Sequence, residues 1–252
     1  MKFKLINLNI WIGGKLLDPA LDFISKENPD ILTLQEVYDG KDQSLERRYR
    51  TMEVLKSELS YRHAVFAPAF LDTRSIGNIK QGNAIFSKFP IISHATRSFD
   101  VPYGPFDEEH ATNWEFEPSN IVHSVVDVGS TRLNVFNVHG IWGLDGMDNK
   151  RRLAMSDIIV SEVKDKENVI FAGDFNVNPN TETIGNIEKH LRNVFRNELK
   201  TTFNMKRKEK PGYATSVVDM IFTSKNIEVL NHTCPQVDIS DHLPLVCEFN
   251  IN

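Results

Sequence analysis

Hydrophobic residues recur at two spacings along the chain, and these spacings predict an alternation of strands and helices. Residues 3–10 alternate apolar and polar side chains, as expected of a strand with one covered face. Asp18 is a candidate cap for a helix that Pro19 opens, since proline at the first helical position loses no hydrogen bond. The run 31–34 is apolar on both faces and predicts a buried central strand. By the same criteria we expect helices at about 43–59, 148–164 and 181–192, and strands at 61–66, 82–86, 91–98, 120–127, 131–138, 168–172, 217–222, 226–231 and 243–249.

These elements indicate a fold of the α/β (α+β) class that forms a single domain over residues 1–252. Mostly antiparallel strands with helices inserted between them can bury two sheets face to face while the helices cover the outside. We therefore expect a four-layer α/β/β/α sandwich whose active site collects where strands end. The stretch 99–119 is a long irregular loop, which is either functional or a surface excursion without consequence.

The composition excludes a disordered chain and gives no sign of a membrane protein. Hydrophobic residues make up 40% of the chain, and 29 Lys+Arg against 34 Asp+Glu leave a formal charge of only -5. No apolar run approaches the roughly 18 residues of a membrane span, and the first residues lack the features of a signal peptide. We expect a soluble, cytoplasmic monomer without stable membrane association. Cys234 and Cys247 are expected to be reduced core residues.

Polar residues that packing does not require stand at the ends of several predicted strands. Asp219 lies inside the apolar run 217–222, where a carboxylate is costly unless it has a partner. Each residue has an ordinary explanation, such as a turn, a helix cap or a structural histidine, but their joint occurrence indicates a site. Carboxylates and amides without thiolates suit a hard cation such as Mg²⁺, whereas zinc favours histidine and cysteine. The strand-end residues are Asn7, Asn9, Glu36, His139, Asp174, Asn176, Asp241 and His242.

Seven segments, in this order, resemble the endonuclease/exonuclease/phosphatase (DNase I-like) superfamily: LNIW, LTLQEV, GNAIFSKFPI, NVHG, GDFNVNP, VVDMIFTS and SDHLPLVCEF. The superfamily includes DNase I-like nucleases, abasic-site endonucleases, deadenylases, tyrosyl-DNA phosphodiesterases, inositol polyphosphate phosphatases and neutral sphingomyelinases. The resemblance spans nearly the whole chain and leaves the subfamily open.

The resemblance implies a metal site and a water-activating group. Glu36 is similar to the principal Mg²⁺ ligand of the family, with Asn9 and Asp241 beside it, and Mn²⁺ can substitute for Mg²⁺. Asp174 is similar to the residue that orients or deprotonates the attacking water. Asn176 is similar to the residue that contacts the scissile phosphate.

The resemblance also implies two histidines that stabilise charge on the phosphate. His242 would do so directly, with Asp219 holding its imidazole in place. His139 occupies a position that the DNase I, sphingomyelinase and tyrosyl-phosphodiesterase branches use for a second phosphate-stabilising or acid group. Abasic-site endonucleases have a tyrosine there, so the histidine weakens that assignment. Val138 replaces the serine or threonine that often precedes this histidine, and Asn83 stands where DNase I-like enzymes place a carboxylate partner for it.

Several residues are candidates for contact with a substrate, each with an ordinary alternative. Arg151 or Arg152 could reach a phosphate or be solvated helix residues, and the basic run 206–210 could meet a polyanion or be a solvated loop. Three tryptophans could stack on bases or belong to the core. The candidates in the basic run are Lys206, Arg207 and Lys208, and the tryptophans are Trp11, Trp114 and Trp142.

Together, the residues and the resemblance imply a Mg²⁺-dependent phosphodiesterase or nuclease that uses water to attack phosphorus in nucleic acid or a nucleotide-like phosphoester. A lipid or inositol phosphate hydrolase of the same superfamily, sphingomyelinase-like or phosphatase-like, is the alternative. A binding module without activity is the third possibility. DNA against RNA, the polarity of cleavage and the number of metal ions stay open.

Overall fold

A computed structural model describes residues 1–129, 131–208 and 216–251 of the chain. This part of the chain contains four α-helices, namely α1 (Leu17–Glu27), α2 (Thr51–Glu58), α3 (Lys150–Val163) and α4 (Glu182–Glu188). The strands are β1 (Lys2–Asn9), β2 (Ile31–Tyr38), β3 (His63–Asp72), β4 (Ile79–Ser87), β5 (Ile91–Ser98), β6 (Pro105–Phe106), β7 (Asn120–Asp127), β8 (Arg132–His139), β9 (Val169–Asp174), β10 (Arg192–Asn193), β11 (Asp219–Thr223), β12 (Ile227–Thr233) and β13 (Leu245–Ile251).

The strands form two sheets. One has the order β12-β13-β1-β2-β4-β3-β6 and the other the order β10-β11-β9-β8-β7-β5. Pairing is antiparallel except between β1 and β2, β3 and β6, and β8 and β9. The sequence prediction of two mostly antiparallel sheets is confirmed.

Three clusters of buried apolar side chains hold the layers together. The first lies between the sheets and takes residues from both, including Leu5, Ile31, Ile85, Val135, Ile170 and Ile221. The second joins α1 and α2 to the outer face of one sheet, and the third joins α3 and α4 to the outer face of the other. This arrangement is the predicted four-layer α/β/β/α sandwich, because each sheet packs against the other sheet on one face and against helices on its other face.

A buried polar network crosses between the two sheets. Gln35 Nε2 donates to Asn137 Oδ1 at 2.6 Å and to Asn7 Oδ1 at 3.0 Å. Asn137 Nδ2 donates to the carbonyls of Leu34 at 2.8 Å and Ala84 at 2.9 Å. Asn7 therefore belongs to this structural network, and it is not among the residues that line the pocket described below.

Several predicted boundaries were wrong. The predicted helix at 43–59 begins as a 3-10 turn at Arg47–Arg50, and α2 follows it. Asp18 does not cap α1, since the helix begins at Leu17 and leaves Asp18 in the first turn. β2 continues past the polar pair Gln35 and Glu36, because its pairing with β4 resumes beyond a bulge.

Both cysteines are free, as predicted, and Cys247 is fully buried. Burial raises the pKa of the Cys234 thiol to about 12. Among the described residues, no helix combines the length and the apolar character needed to span a lipid bilayer.

The cross-sheet network makes a testable contribution to stability. Replacement Asn137→Ala removes the donor for two buried carbonyls and leaves Gln35 Nε2 with one acceptor fewer. We expect the free energy of unfolding, measured by urea titration, to fall by roughly 3 kcal/mol, because buried polar groups left without partners cost about 1–3 kcal/mol each. The exposed Asn231→Ala on β12 serves as the control and should change stability by less than about 0.5 kcal/mol. Equal losses in both variants would contradict a structural role for Asn137.

Candidate active site

One pocket lies where the ends of strands from both sheets meet the long loop 99–119. It has a volume of about 170 Å³ and is lined by Trp11, Ile12, Glu36, Glu108, Trp114, Glu117, His139, Trp142, Asp174, Asn176, Phe203, Lys208, Asp241 and His242. A larger pocket of about 510 Å³ beside α4 and β10 is lined by one carboxylate, that of Glu188, and by no histidine. Among the described residues, the smaller pocket therefore carries the candidate chemistry.

Asn9 and Glu36 come together because β1 and β2 are parallel neighbours with Asn9 opposite Gln35. Asn9 Nδ2 donates to Glu36 Oε1 at 2.8 Å, and the backbone N–H of Ile12 donates to Glu36 Oε2 at 2.6 Å. Glu36 has a φ of 60° and lies at the bulge in β2. Residues other than glycine seldom adopt the left-handed region, and those that do cluster at functional sites. The backbone at this bulge thus directs the carboxylate into the pocket.

Asp174 is the centre of the site because β9 lies between β8 and β11. In this sheet His139 is opposite Asp174 on one side and Asp219 is opposite it on the other. Asp174 Oδ2 is 3.7 Å from His139 Nε2 and 3.8 Å from His242 Nε2. Its other oxygen, Oδ1, accepts a hydrogen bond of 2.9 Å from the backbone N–H of Asn176.

The partner that Asp219 requires is His242. Asp219 Oδ2 lies 2.8 Å from His242 Nδ1, and both side chains are buried. Burial alone would lower the pKa of His242, but the carboxylates of Asp219, Asp174 and Asp241 raise it to about 10. These carboxylates therefore favour the protonated imidazole, whose Nε2 lies 3.8 Å from Asp174 Oδ2.

Lys208 is the candidate from the basic run that the structure brings into the pocket. Its Nζ is 2.6 Å from Asp241 Oδ2 and 4.7 Å from the centre of the Phe203 ring. The segment that carries it is held against the turn before β13, since Asn204 N–H donates to the carbonyl of Asp241 at 2.8 Å. A cation thus already neutralises one of the predicted metal ligands.

The other members of the basic run lie outside the pocket. Arg207 makes two contacts of 2.7 Å with the carboxylate of Asp238, and Lys206 is exposed on the surface. The last two residues of the run, Glu209 and Lys210, lie outside the described residues. The predicted basic patch for a polyanion is therefore reduced to Lys208 at the site itself.

Two further candidate residues of the site, Asn83 and Arg152, have fully buried side chains. Asn83 Nδ2 donates to the carbonyl and Oδ1 of Asn120 at 3.0 and 2.8 Å, so the asparagine is not a partner of His139. Arg152 Nη2 donates to the carbonyl of Asn176 at 2.7 Å, and its guanidinium has no exposure to solvent. Arg152 thus holds the loop that carries Asn176 and does not reach a substrate.

Arg151 also has a structural partner. It contacts the carboxylate of Asp100 and the carbonyl of Glu115, and its guanidinium lies 4.7 Å from the centre of the Phe116 ring. These contacts fasten the long loop 99–119 to the start of α3. The loop is therefore part of the site wall and is not a surface excursion.

Two glutamates from this loop line the pocket and were not predicted. Glu108 Oε2 accepts hydrogen bonds from Tyr38 Oη at 2.8 Å, Arg74 Nη2 at 2.5 Å and Gln81 Nε2 at 2.8 Å. Burial and the nearby carboxylate of Glu36 raise the pKa of Glu108 to about 7. The position of Glu108 in the pocket could not be predicted from the acidic loop sequence, since a charged residue in a loop has no periodicity that shows which way its side chain points.

Glu117 is the second of these glutamates. Burial, followed by the carboxylates of Glu108 and Glu36, holds its pKa well above the usual range. The pocket lining therefore contains five carboxylates, from Glu36, Glu108, Glu117, Asp174 and Asp241, against one lysine.

The donor set on the predicted metal side fits a hard divalent cation. Glu36 and Asp241 offer carboxylate oxygens to the pocket, and Asn9 contacts Glu36 directly. The tightest group of potential ligands is a different one, Asp174, Asp219 and His242. In that group, Asp219 and His242 already bind each other, so it is better suited to fixing an imidazole than to holding an ion.

Comparison with solved structures shows the same fold in several proteins of low sequence identity. The endonuclease/exonuclease/phosphatase from Beutenbergia cavernae is 18% identical with a TM-score of 0.75, over 100% of this chain and 72% of that one. The mannosyl-6-phosphatase Bt3783 from Bacteroides thetaiotaomicron is 16% identical with a TM-score of 0.71, over 99% of this chain and 100% of that one. TDP2 from D. rerio, complexed with a single strand DNA product, is 17% identical with a TM-score of 0.68, over 99% of each chain.

No curated protein matches the sequence at a significant level. The sequence profile of the Endonuclease/Exonuclease/phosphatase family, in contrast, matches residues 7–242. This range includes all of the six-stranded sheet, the seven-stranded sheet except β13 and the first part of β1, and every residue of the pocket. This match covers far more than half of the chain and agrees with the fold. The chain therefore belongs to the endonuclease/exonuclease/phosphatase family.

Proposed function

We propose that the protein hydrolyses phosphoesters by attack of water on phosphorus, assisted by a bound divalent cation. The observation that carries this proposal is the position of the Asp174 carboxylate. It lies 3.7 Å from His139 Nε2 and 3.8 Å from His242 Nε2, and it accepts a 3.1 Å hydrogen bond from Asn9, which also binds Glu36. The Asp174 carboxylate, which could accept a proton, thus lies near both imidazoles and is linked through Asn9 to the candidate metal ligand Glu36.

The protein's own residues can perform most of the steps. Asp174 is placed to orient a water and accept its proton, because Oδ2 faces the pocket between the two imidazoles. His242, whose protonated form is favoured by the carboxylates around it, would stabilise negative charge that develops on the phosphoryl oxygens. Asp219 fixes the orientation of that imidazole through Nδ1.

Enzymes of this family are generally dependent on a divalent metal. In this chain Glu36 and Asp241, with Asn9 beside them, would hold the ion, and we propose Mg²⁺ with Mn²⁺ as a substitute because the donors are oxygen atoms. When bound, such a cation polarises the phosphoryl group and stabilises the leaving oxygen. Lys208, 2.6 Å from Asp241, supplies a further positive charge on the same side of the pocket.

A second part of the proposal concerns which class of phosphoester the protein hydrolyses. A nuclease or phosphodiesterase reaction, which the sequence favoured, gains support from the TDP2 neighbour and from the tryptophans of the pocket lining, whose rings could stack on bases. The mannosyl-6-phosphatase neighbour supports a small phosphomonoester instead. The pairing of Arg207 with Asp238 weighs against a polynucleotide, since it removes one of the expected phosphate contacts. A cytoplasmic location and a monomeric state stay predictions from the sequence.

The role of Asp174 predicts a large and selective loss of activity. We expect Asp174→Asn to lower kcat for p-nitrophenyl phosphate and bis-p-nitrophenyl phosphate by about 100-fold or more, because a positioned base contributes about 10²–10⁴ in rate. Hydrolysis is followed by absorbance in Mg²⁺ buffer, and EDTA should abolish it in the wild type. Asp22→Asn, an exposed carboxylate on α1, is the matched control and should keep full activity. Full activity of Asp174→Asn would refute the mechanism.

The contact between Asp219 and His242 predicts a change in pKa. The carboxylate of Asp219 is the leading cause that raises the pKa of His242 to about 10, so Asp219→Asn should make the imidazole lose its proton at a lower pH. The measurement is the NMR titration of the His242 ring protons in metal-free protein, with Asp22→Asn as a variant that leaves the curve unchanged. An identical titration in wild type and Asp219→Asn would show that the carboxylate does not control the imidazole.

A further inference from the structure

We infer that Lys208 and the divalent cation compete for the carboxylate of Asp241, and that the ammonium displaced from Asp241 binds the phosphoryl group of the substrate. The inference rests on the proposed metal-assisted hydrolysis and adds a link between metal binding and substrate binding in the same site. It gives Lys208 a role beyond that of a fixed positive charge.

The backbone of the segment before Lys208 places this residue at the site. The backbone N–H of Asn204 donates to the carbonyl of Asp241 at 2.8 Å, and the backbone N–H of Lys208 donates to the carbonyl of Asn204 at 3.1 Å. Phe203 forms an isolated β-bridge with His242. The position of the Lys208 backbone relative to Asp241 and His242 is therefore set by contacts that do not involve the ammonium.

The ammonium of Lys208 lies between a carboxylate and an aromatic ring. Nζ is 2.6 Å from Asp241 Oδ2 and 4.7 Å from the centre of the Phe203 ring, and that centre is 4.6 Å from the centre of the His242 ring. The side chain keeps 32% of its exposure to solvent and lines the pocket. An ammonium is a compact charge on a flexible stem of four carbons, so it can leave one oxygen for another while the backbone stays in place.

Asp241 differs in its partners from Glu36, the other carboxylate proposed to hold the ion. Both oxygens of Glu36 accept hydrogen bonds from neutral N–H groups, those of Asn9 and Ile12. Asp241 Oδ2 instead contacts a full positive charge at 2.6 Å. Two cations on one carboxylate repel each other strongly because they are close together. Binding of a divalent cation to Asp241 therefore favours departure of the ammonium.

The phosphoryl group is the best partner for the displaced ammonium in this pocket. Glu108 is already paired with an arginine, and Asp174 lies beside two imidazoles. Glu36 would hold the ion, and the raised pKa of Glu117 favours its neutral form. In the proposed reaction the phosphoryl group lies next to Asp174, and ammonium groups bind phosphate oxygens through charge-assisted hydrogen bonds.

An exchanging ammonium has a thermodynamic consequence that a fixed charge does not have. A fixed ammonium would weaken the binding of a cation and strengthen the binding of phosphate, each independently of the other. An ammonium that moves from Asp241 to phosphate makes each ligand strengthen the binding of the other, and such coupling is reciprocal. The coupling between the metal ion and phosphate therefore separates the two cases.

The experiment measures Mn²⁺ binding by electron paramagnetic resonance, with and without inorganic phosphate, in wild type and Lys208→Met. Binding of Mn²⁺ to phosphate in solution is measured separately and subtracted. Without phosphate, we expect Lys208→Met to lower the Kd for Mn²⁺ by about fivefold or more, because the competing charge is gone. The factor by which phosphate tightens Mn²⁺ binding should fall by about fivefold or more in the variant. Direct contact between the ion and phosphate is common to both proteins and cancels in this comparison.

Lys206→Met is the matched control, because Lys206 is exposed on the same segment and lies outside the pocket. It removes the same charge and should leave the Kd for Mn²⁺ and the coupling factor within about twofold of wild type, since salt screens an exposed charge. Lys208→Gln is a second neutral variant and should reproduce the result of Lys208→Met.

The outcomes distinguish the exchange from a fixed charge and from a failure of the proposed function. An unchanged coupling factor in Lys208→Met, even with tighter Mn²⁺ binding, would show a fixed charge and overturn the exchange. Weaker Mn²⁺ binding in Lys208→Met would overturn the competition for Asp241. If either result is found while the wild type hydrolyses p-nitrophenyl phosphate, the inference fails and the hydrolase stands. Absence of both Mn²⁺ binding and phosphoester hydrolysis in the wild type would overturn both proposals.

Discussion

The hydrogen bond of 3.1 Å from Asn9 to Asp174 joins the two sheets at the point where the candidate chemistry takes place. Asn9 ends a strand of one sheet and Asp174 ends a strand of the other, so the distance depends on how the sheets are aligned. The contact between Gln35 and Asn137 crosses the same boundary deeper in the molecule. Apolar packing between sheets tolerates small shifts, whereas these directional contacts do not. They therefore fix the alignment on which the metal side and the imidazoles both depend.

The same pocket carries a cost in electrostatic free energy. Five carboxylates share its lining with one lysine, and burial makes their mutual repulsion stronger than it would be in water. The raised pKa of His242 and of Glu108 are two local responses, since each lets a proton offset part of the negative charge. A divalent cation at Glu36 and Asp241 would offset more of it. The carboxylates of the lining thus create a negative potential that would attract a divalent cation to the pocket.

The strand-end residues could be predicted from the sequence, and the contacts of the other candidates could not. Polar residues that interrupt apolar runs mark the bulge in β2 that carries Glu36 and the ends of β8 and β9 that carry His139 and Asp174, and the packing of the two sheets brings all three to one pocket. The burial of Asn83 and Arg152 could not be predicted because a buried polar side chain has the same local sequence pattern as an exposed one. Glu108 and Glu117 were missed because distant contacts of the loop, such as Arg151 with Asp100, set its conformation.

The two groups of pocket residues are held in place by different kinds of contact. The groups proposed for the reaction lie at strand ends, whose positions are fixed by backbone pairing in two sheets. Other residues of the pocket lining lie on the loop 99–119 and on the segment after β8, whose positions depend on side-chain contacts such as that of Arg151 with Asp100. Loops can change without disturbing sheet pairing. A fold of this kind can therefore keep the groups at its strand ends in place while the loops that complete the pocket differ.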